Sequence, residues 1–258
     1  MSELTEPDPV ARLRAAGCVF AEEEAELLRA AATGPAELDA MVERRAAGLP
    51  LEHVVGWAEF AGLRIEVDGG VFVPRRRTEF LVGRAVALAR PGAVCVDLCC
   101  GSGAAGAVLL ASVPDAEVHA SDIEPAAVRC ARRNLEPRGG RVYEGDLFEP
   151  LPGALRGRIE VLVANVPYVP TEDVALLPPE AREHEPLVAL DGGADGLDVL
   201  RRVAAEAARW LTPGGRLLVE TSERQAGLAV AAVTAHGLTA EVLEDEELYA
   251  TVLVATRP

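Results

Sequence analysis

The chain has 258 residues, half of them hydrophobic, which is enough to build a full core as one large domain or one with a small appendage. Its net charge of −16, from 25 basic and 41 acidic residues, argues against a nucleic-acid binder held mainly by phosphate contacts, since that mode needs a basic face. The five cysteines (Cys18, Cys95, Cys99, Cys100, Cys130) form no C-x-x-C pair, and neither a signal-peptide pattern nor a membrane-length apolar run is visible, so the expectation is a soluble cytoplasmic protein without a structural metal, a disulfide framework or a membrane partner.

Residues 1–53 read as a small helical domain. Val10 and Leu13, then Ala25, Leu27 and Leu28, then Leu38, Met41 and Val42 recur at helical spacing, and Gly34-Pro35 breaks the run. Helices this short need a tertiary partner. Between residues 54 and 73 the period changes. Leu63, Ile65 and Val67 alternate with Arg64, Glu66 and Asp68, as in a half-buried strand. Gly69-Gly70 then reads as a turn and Val71-Phe72-Val73 as the second strand of a linking hairpin.

From residue 74 to 258 strands and helices alternate. Strands are expected at 94–98, 117–121, 141–144, 159–164, 216–220, 238–243 and 251–255, with helices at about 80–89, 104–111, 125–135, 197–210 and 223–235. Repeated β-α units imply a doubly wound, mainly parallel α/β sheet. In such sheets ligands bind beyond the carboxyl ends of the strands.

Three strand ends carry an acid. The first runs from Asp97 through Cys99 and Cys100 into Gly101-Ser102-Gly103, where glycines allow a close approach to ligand and a helix N-terminus offers free N–H groups. Gly101, Gly103 and Gly106 also satisfy the G-x-G-x-x-G pattern of dinucleotide enzymes, so two cofactor classes compete. A dinucleotide places its pyrophosphate on that helix N-terminus, where an acid is unhelpful. S-adenosylmethionine has no phosphate, and Asp97 suits its ammonium directly or through water. Asp122, with Ile123 beside it, can accept both ribose hydroxyls in either class. Asp146 can accept from an adenine amino group, with Leu147 against the ring. The ordered set favours S-adenosylmethionine over a dinucleotide. Cys99 and Cys100 read as small residues packed under the loop.

The fourth strand ends in Asn165-Val166-Pro167-Tyr168. Asn165 offers an amide oxygen and an amide N–H, Pro167 stiffens the turn, and Tyr168 offers a flat face with a polar tip. Asn165 Oδ1 and the main-chain carbonyl of Val166 can hold the two hydrogens of a planar amine and aim its lone pair. A glutamine amide and an adenine amino group both fit that description.

These stretches resemble the HemK/PrmC family of protein-glutamine methyltransferases. Residues 48–56 (Gly-Leu-Pro-Leu-Glu-His-Val-Val-Gly) resemble the family's segment before its hairpin, and residues 72–79 (Phe-Val-Pro-Arg-Arg-Arg-Thr-Glu) its Ile-Pro-Arg-Pro-x-Thr-Glu motif. Residues 97–103 resemble Asp-Leu-Gly-Thr-Gly-Ser-Gly, and residues 165–168 resemble Asn-Pro-Pro-Tyr. Residues 185–197 (Glu-Pro-Leu-Val-Ala-Leu-Asp-Gly-Gly-Ala-Asp-Gly-Leu) carry the most specific match. Val166, Arg76, Cys99-Cys100 and a C-terminus without the usual Arg-Val mark a divergent subgroup.

The resemblance implies a class I, Rossmann-like, S-adenosylmethionine-dependent methyltransferase behind a helical domain that recruits substrate. It implies methylation of the glutamine in the Gly-Gly-Gln motif of a peptide chain release factor. Carried over by position, Gly101, Ser102, Gly103, Asp122, Leu147 and Asn165 touch the cofactor, Thr78 reaches its methionine part, and residues 165–168 hold the glutamine. Two rivals remain. One is an adenine methyltransferase, supported by Arg75-Arg76-Arg77 and Arg132-Arg133, which read more simply as solvated charge. The other is a non-catalytic cofactor-binding protein. Glu183, Glu185 and Asp191 are candidates for shaping a substrate groove, and the four histidines show no metal spacing.

Overall fold

A computed structural model describes residues 8–258, so the first seven residues of the expected helical segment lie outside it. Four helices follow: α1 (Pro9–Ala15), α2 (Ala21–Ala31), α3 (Pro35–Ala46) and α4 (Leu51–Val55). Proline opens α1 and α3 at the position where a missing N–H costs nothing. Their apolar stripes meet in a core of their own built on Leu13, Ala25, Leu28, Met41, Val42 and Val54.

The hairpin differs from its expected register. Its strands are β1 (Trp57–Phe60) and β2 (Leu63–Glu66), paired antiparallel around Ala61-Gly62. Both turn residues have positive φ, 48° and 75°, as a two-residue hairpin turn with the correct twist requires. Val71-Phe72-Val73 is not a strand, because its backbone donors go elsewhere. The Val71 N–H donates to the Asp68 carbonyl, and the Val73 N–H donates to Glu185 Oε1. Val71 and Val73 are instead buried in the main core.

The remainder comprises α5 (Thr78–Leu88), β3 (Val94–Leu98), α6 (Ala104–Ser112), β4 (Glu117–Asp122), α7 (Pro125–Leu135), β5 (Arg141–Glu144), β6 (Ile159–Ala164), α8 (Pro179–His184), α9 (Asp198–Trp210), β7 (Leu211–Thr221), α10 (Ala226–Thr234), β8 (Thr239–Asp245) and β9 (Ala250–Thr256). Seven strands form one sheet in the order β5-β4-β3-β6-β7-β9-β8. The first five are parallel, and β9 runs antiparallel between β7 and β8. Strand β3 is buried at every position, as a central parallel strand covered on both faces must be. One apolar core lies against α5, α6 and α7, and a second against α9 and α10. Strand β7 starts five residues earlier than its apolar run suggests: Leu211 pairs with Ile159 before a register shift leads to the Val161–Arg216 pairing. The order reverses between β3 and β6, so the crevice beyond their carboxyl ends is where a ligand is expected.

Candidate active site

A cavity of about 620 Å³ opens at that crevice. Fourteen of the fifteen residues expected at the cofactor and methyl-acceptor sites line it: Thr78, Asp97, Cys99, Cys100, Gly101, Ser102, Asp122, Ile123, Asp146, Leu147, Asn165, Val166, Pro167 and Tyr168. The exception is Gly103, which does not line the cavity. It has φ +79°, and a Cβ there would lie 3.1 Å from the Leu135 side chain, so a glycine at this position lets α6 seat closely on α7.

The loop after β3 is braced by acids. Asp97 is 2% exposed, and its Oδ2 accepts the Gly106 N–H at 3.0 Å, so part of this carboxylate satisfies an N–H in the first turn of α6. Burial pushes its carboxyl up to about 7, against the pull of the Gly106 hydrogen bond, with nearby Asp122 adding to the rise. Asp122 accepts the Gly101 N–H at 2.8 Å on one oxygen and the Glu124 N–H at 2.9 Å on the other. Each oxygen keeps further lone-pair capacity for a diol. Cys99 holds a left-handed backbone, φ 54°, a conformation that favours glycine. Burial, reinforced by Asp122, Asp97 and Asp146, pushes its thiol far above the usual range, so it is not a reactive thiolate.

Two expected contacts are engaged within the protein. Thr78 lines the cavity, but its hydroxyl donates to Glu220 Oε2 at 2.7 Å. Asp146 pairs with Arg202 of α9, which also lines the cavity. Leu147, at φ 47°, turns the chain there, and its carbonyl accepts the Ser121 hydroxyl at 2.7 Å.

The tetrapeptide after β6 has a divided character. Among the described residues, nothing in the protein hydrogen-bonds to the Asn165 carboxamide or the Val166 carbonyl, although Asn165 stands on the cavity wall. Tyr168 is held at both ends. Its hydroxyl donates to Glu220 Oε1 at 2.9 Å, and its carbonyl accepts from Gln225 Nε2 at 2.9 Å. The stretch 192–196 packs directly behind it. A Cβ on Gly192 would lie 2.6 Å from the Pro167 carbonyl, and one on Gly196 would overlap the Tyr168 carbonyl and the Gln225 amide. That close approach gives the glycines of residues 185–197 their physical purpose.

Glu220, Gln225 and Arg202 were missed by sequence reasoning. Glu220 ends a parallel strand just as the other acids do, so extending that rule to β7 would have found it. Gln225 and Arg202 carry no local signal. Glu185 is 6% exposed and accepts from Arg75 Nη2 at 2.6 Å, so it anchors the linker to the site. Asp191 caps its own loop through the Thr171 hydroxyl at 2.7 Å. The basic clusters are largely paired. Arg75 meets Glu185, Arg77 meets Glu220, Arg132 meets Glu136, and Arg133 meets Glu66 and Asp68. Among the described residues no helix is long and apolar enough to cross a membrane.

Comparison with known proteins is consistent with this geometry. The Methyltransferase small domain family matches residues 65–176. A release factor glutamine methyltransferase of Geobacter sulfurreducens is 43% identical over 197 residues, covering 74% of this chain and 68% of that protein. One from Mycolicibacterium smegmatis is 38% identical over 256 residues, covering 92% and 90%. In structure, a methyltransferase from Pyrococcus furiosus superposes with a TM-score of 0.59 over 85% of this chain and 97% of its own, at 16% identity, a likeness of fold.

Proposed function

The chain belongs to the release factor glutamine methyltransferase family, and from that premise we propose that it methylates the side-chain amide nitrogen of the glutamine in the Gly-Gly-Gln motif of a peptide chain release factor. S-adenosylmethionine supplies the methyl group, carried as an electrophile on its sulfonium. The donor set fits that ligand: acids for an ammonium and a diol, and an apolar Leu147.

The reading rests on Asn165. A carboxamide on a cavity wall with no hydrogen bond from the protein leaves its oxygen free for a ligand. An amide nitrogen is a poor nucleophile because its lone pair is delocalised into the carbonyl. Asn165 Oδ1 and the Val166 carbonyl would accept its two hydrogens and turn the lone pair outward; as the N–C bond forms the donor's C–S bond breaks to leave a neutral thioether, and one N–H proton is lost to solvent. Tyr168, fixed by Glu220 and Gln225, packs on the flat amide. Catalysis is then mainly orientation and exclusion of water. Gly101, Ser102, Asp122, Ile123 and Leu147 would hold the nucleoside side of the ligand, and Asp97 would pair with its ammonium. Asp146 would serve the adenine amino group with the oxygen that Arg202 leaves open.

In the same reading, residues 1–53 recruit the protein substrate, 54–73 link, and 74–258 carry the chemistry. The separate core of α1–α4 supports this division. The adenine alternative loses its best support, since the arginines that would contact nucleic acid are largely paired with carboxylates. Incubation with labelled cofactor and purified release factors, followed by mass spectrometry, tests the proposal. The label belongs on the Gly-Gly-Gln glutamine, and an unlabelled release factor alongside a labelled nucleic acid would overturn the reading.

A further inference from the structure

Helix α8 is six residues long and belongs to the stretch 171–190 that forms part of the cavity wall, where Leu177, Pro178, Glu180 and Ala181 line the cavity. A helix this short has no stability of its own, so its position must be imposed from outside. Two ties impose it, and they lead to different parts of the chain. Just after α8, Glu185 is bound by Arg75 and the Val73 N–H of the linker. In its first turn, Glu180 Oε1 accepts from Arg45 Nη1 at 2.7 Å, across 135 positions of sequence.

Arg45 lies in α3 of the N-terminal bundle and is 8% exposed. Its guanidinium fork grips both oxygens of Glu24, with Nε at 2.7 Å and Nη2 at 3.1 Å, while Nη1 also donates to the Leu49 carbonyl at 3.0 Å. Burial disfavours its charge, but hydrogen bonds to Glu24 and Glu180 more than offset this and hold it protonated. Glu24 alone neutralises the buried cation. Glu180, with its side chain 48% exposed, is therefore not needed to keep Arg45 inside. What it adds is a fixed distance between the bundle and the cavity wall.

We propose that the Arg45–Glu180 pair is a latch through which the N-terminal bundle positions the α8 wall for the incoming protein substrate, making Glu180 a positioning residue for the acceptor side of the reaction. The inference rests on the protein-substrate reading given above. Opening the latch should spare the cofactor side, because Gly101 and Asp122 are set by β3 and β4, and it leaves Arg45 paired with Glu24.

Glu180→Ala and Glu180→Gln in the full chain test this with two independent readouts. Hydrogen–deuterium exchange within residues 171–190 should quicken about threefold in the alanine variant, the scale of a half-exposed ion pair. For the release factor, KM should rise roughly fivefold with kcat and the cofactor Kd within about twofold, because orientation at the mouth is lost while the reacting groups stay in place. Glutamine keeps the Oε1 acceptor and should recover most of both effects. Unchanged exchange in the alanine variant overturns the latch. Faster exchange with an unchanged KM overturns its role in the reaction. Wild-type protein that fails to methylate a release factor refutes the substrate reading instead, and the exchange result then decides the latch alone.

Discussion

The Tyr168 hydroxyl donates to Glu220 Oε1 at 2.9 Å, joining the loop after β6 to the end of the neighbouring strand β7. The same carboxylate, 2% exposed, accepts from Arg77 Nε at 3.1 Å and Thr78 Oγ1 at 2.7 Å. One buried acid thus ties the tetrapeptide to the start of α5. Burial, with Glu220 beside it, raises the Tyr168 phenol well above its usual range, so it stays a donor at every pH at which the protein is handled.

Removing the Tyr168 hydroxyl and removing Glu220 differ in what they leave behind. Tyr168→Phe deletes one hydrogen bond and leaves Glu220 paired with Arg77 and Thr78, for a cost of about 1 kcal/mol. Glu220→Ala strands the buried Thr78 hydroxyl and the half-buried Tyr168 hydroxyl and should cost about 3 kcal/mol. Urea midpoints measure both, and turnover should fall in each variant. Equal stability losses would show that Arg77 and Thr78 contribute nothing to the junction.

Asn165→Ala removes a side chain that makes no hydrogen bond within the described protein, so stability should hold within about 0.5 kcal/mol. Methyl transfer should be abolished, while cofactor affinity stays within about tenfold, or 1.4 kcal/mol. Single-turnover kinetics with calorimetry on the same sample separate the two, and full activity in this variant would sink the mechanism.

Asp97 should make stability and cofactor binding respond oppositely to pH. Its folded-state carboxyl, at about 7, lies above the ordinary value of 3.8. The folded state therefore keeps a proton that the unfolded chain gives up. The stabilisation is complete below the ordinary value and is lost as pH rises through about 7. Asp97→Asn, which can still accept from Gly106, should gain stability relative to wild type between pH 5.5 and 8. It should also lose cofactor affinity at the higher pH, where the wild-type carboxylate meets the ligand's ammonium. Denaturation and calorimetry at both pH values check this. Undiminished affinity of the asparagine variant at pH 8 would remove Asp97 from the ammonium site.

Cys99 sits at φ 54°, where a side chain costs about 1–2 kcal/mol and glycine pays about 0.5–1 kcal/mol in unfolded-chain entropy. Cys99→Gly should therefore raise stability slightly, by about 0.5 kcal/mol, and leave cofactor binding intact. The thermal midpoint reports the first and calorimetry the second. A large loss of stability would mean that the thiol's packing outweighs the backbone strain.

Gly196→Ala should be far more damaging than its size suggests. The added Cβ overlaps the Tyr168 carbonyl and the Gln225 amide, and φ is +78° as well. A cost of about 2–4 kcal/mol is expected, with turnover falling more than cofactor affinity because the shift lands on the tetrapeptide. Gln225→Ala, which removes the same anchor without adding bulk, should lower turnover in the same sense.

The parallel sheet, its alternating helices and the acids at its strand ends were legible in the sequence. Buried strands and amphipathic helices write their period into consecutive residues, and a strand's last residue is next to the site by construction. The hairpin was legible as a period of two, but not in its register. Positive φ at Ala61-Gly62 and the capture of the Val73 N–H by Glu185 decided that. Tertiary structure alone brought together Glu220 with Tyr168, 52 positions apart, Gln225 with Tyr168, 57 apart, and Arg45 with Glu180, 135 apart. It alone revealed that the basic clusters are mostly paired, and that Gly103 packs closely on Leu135. A side chain's hydrogen-bond partner depends on where the fold carries a distant segment, and neither residue's neighbours in sequence record it.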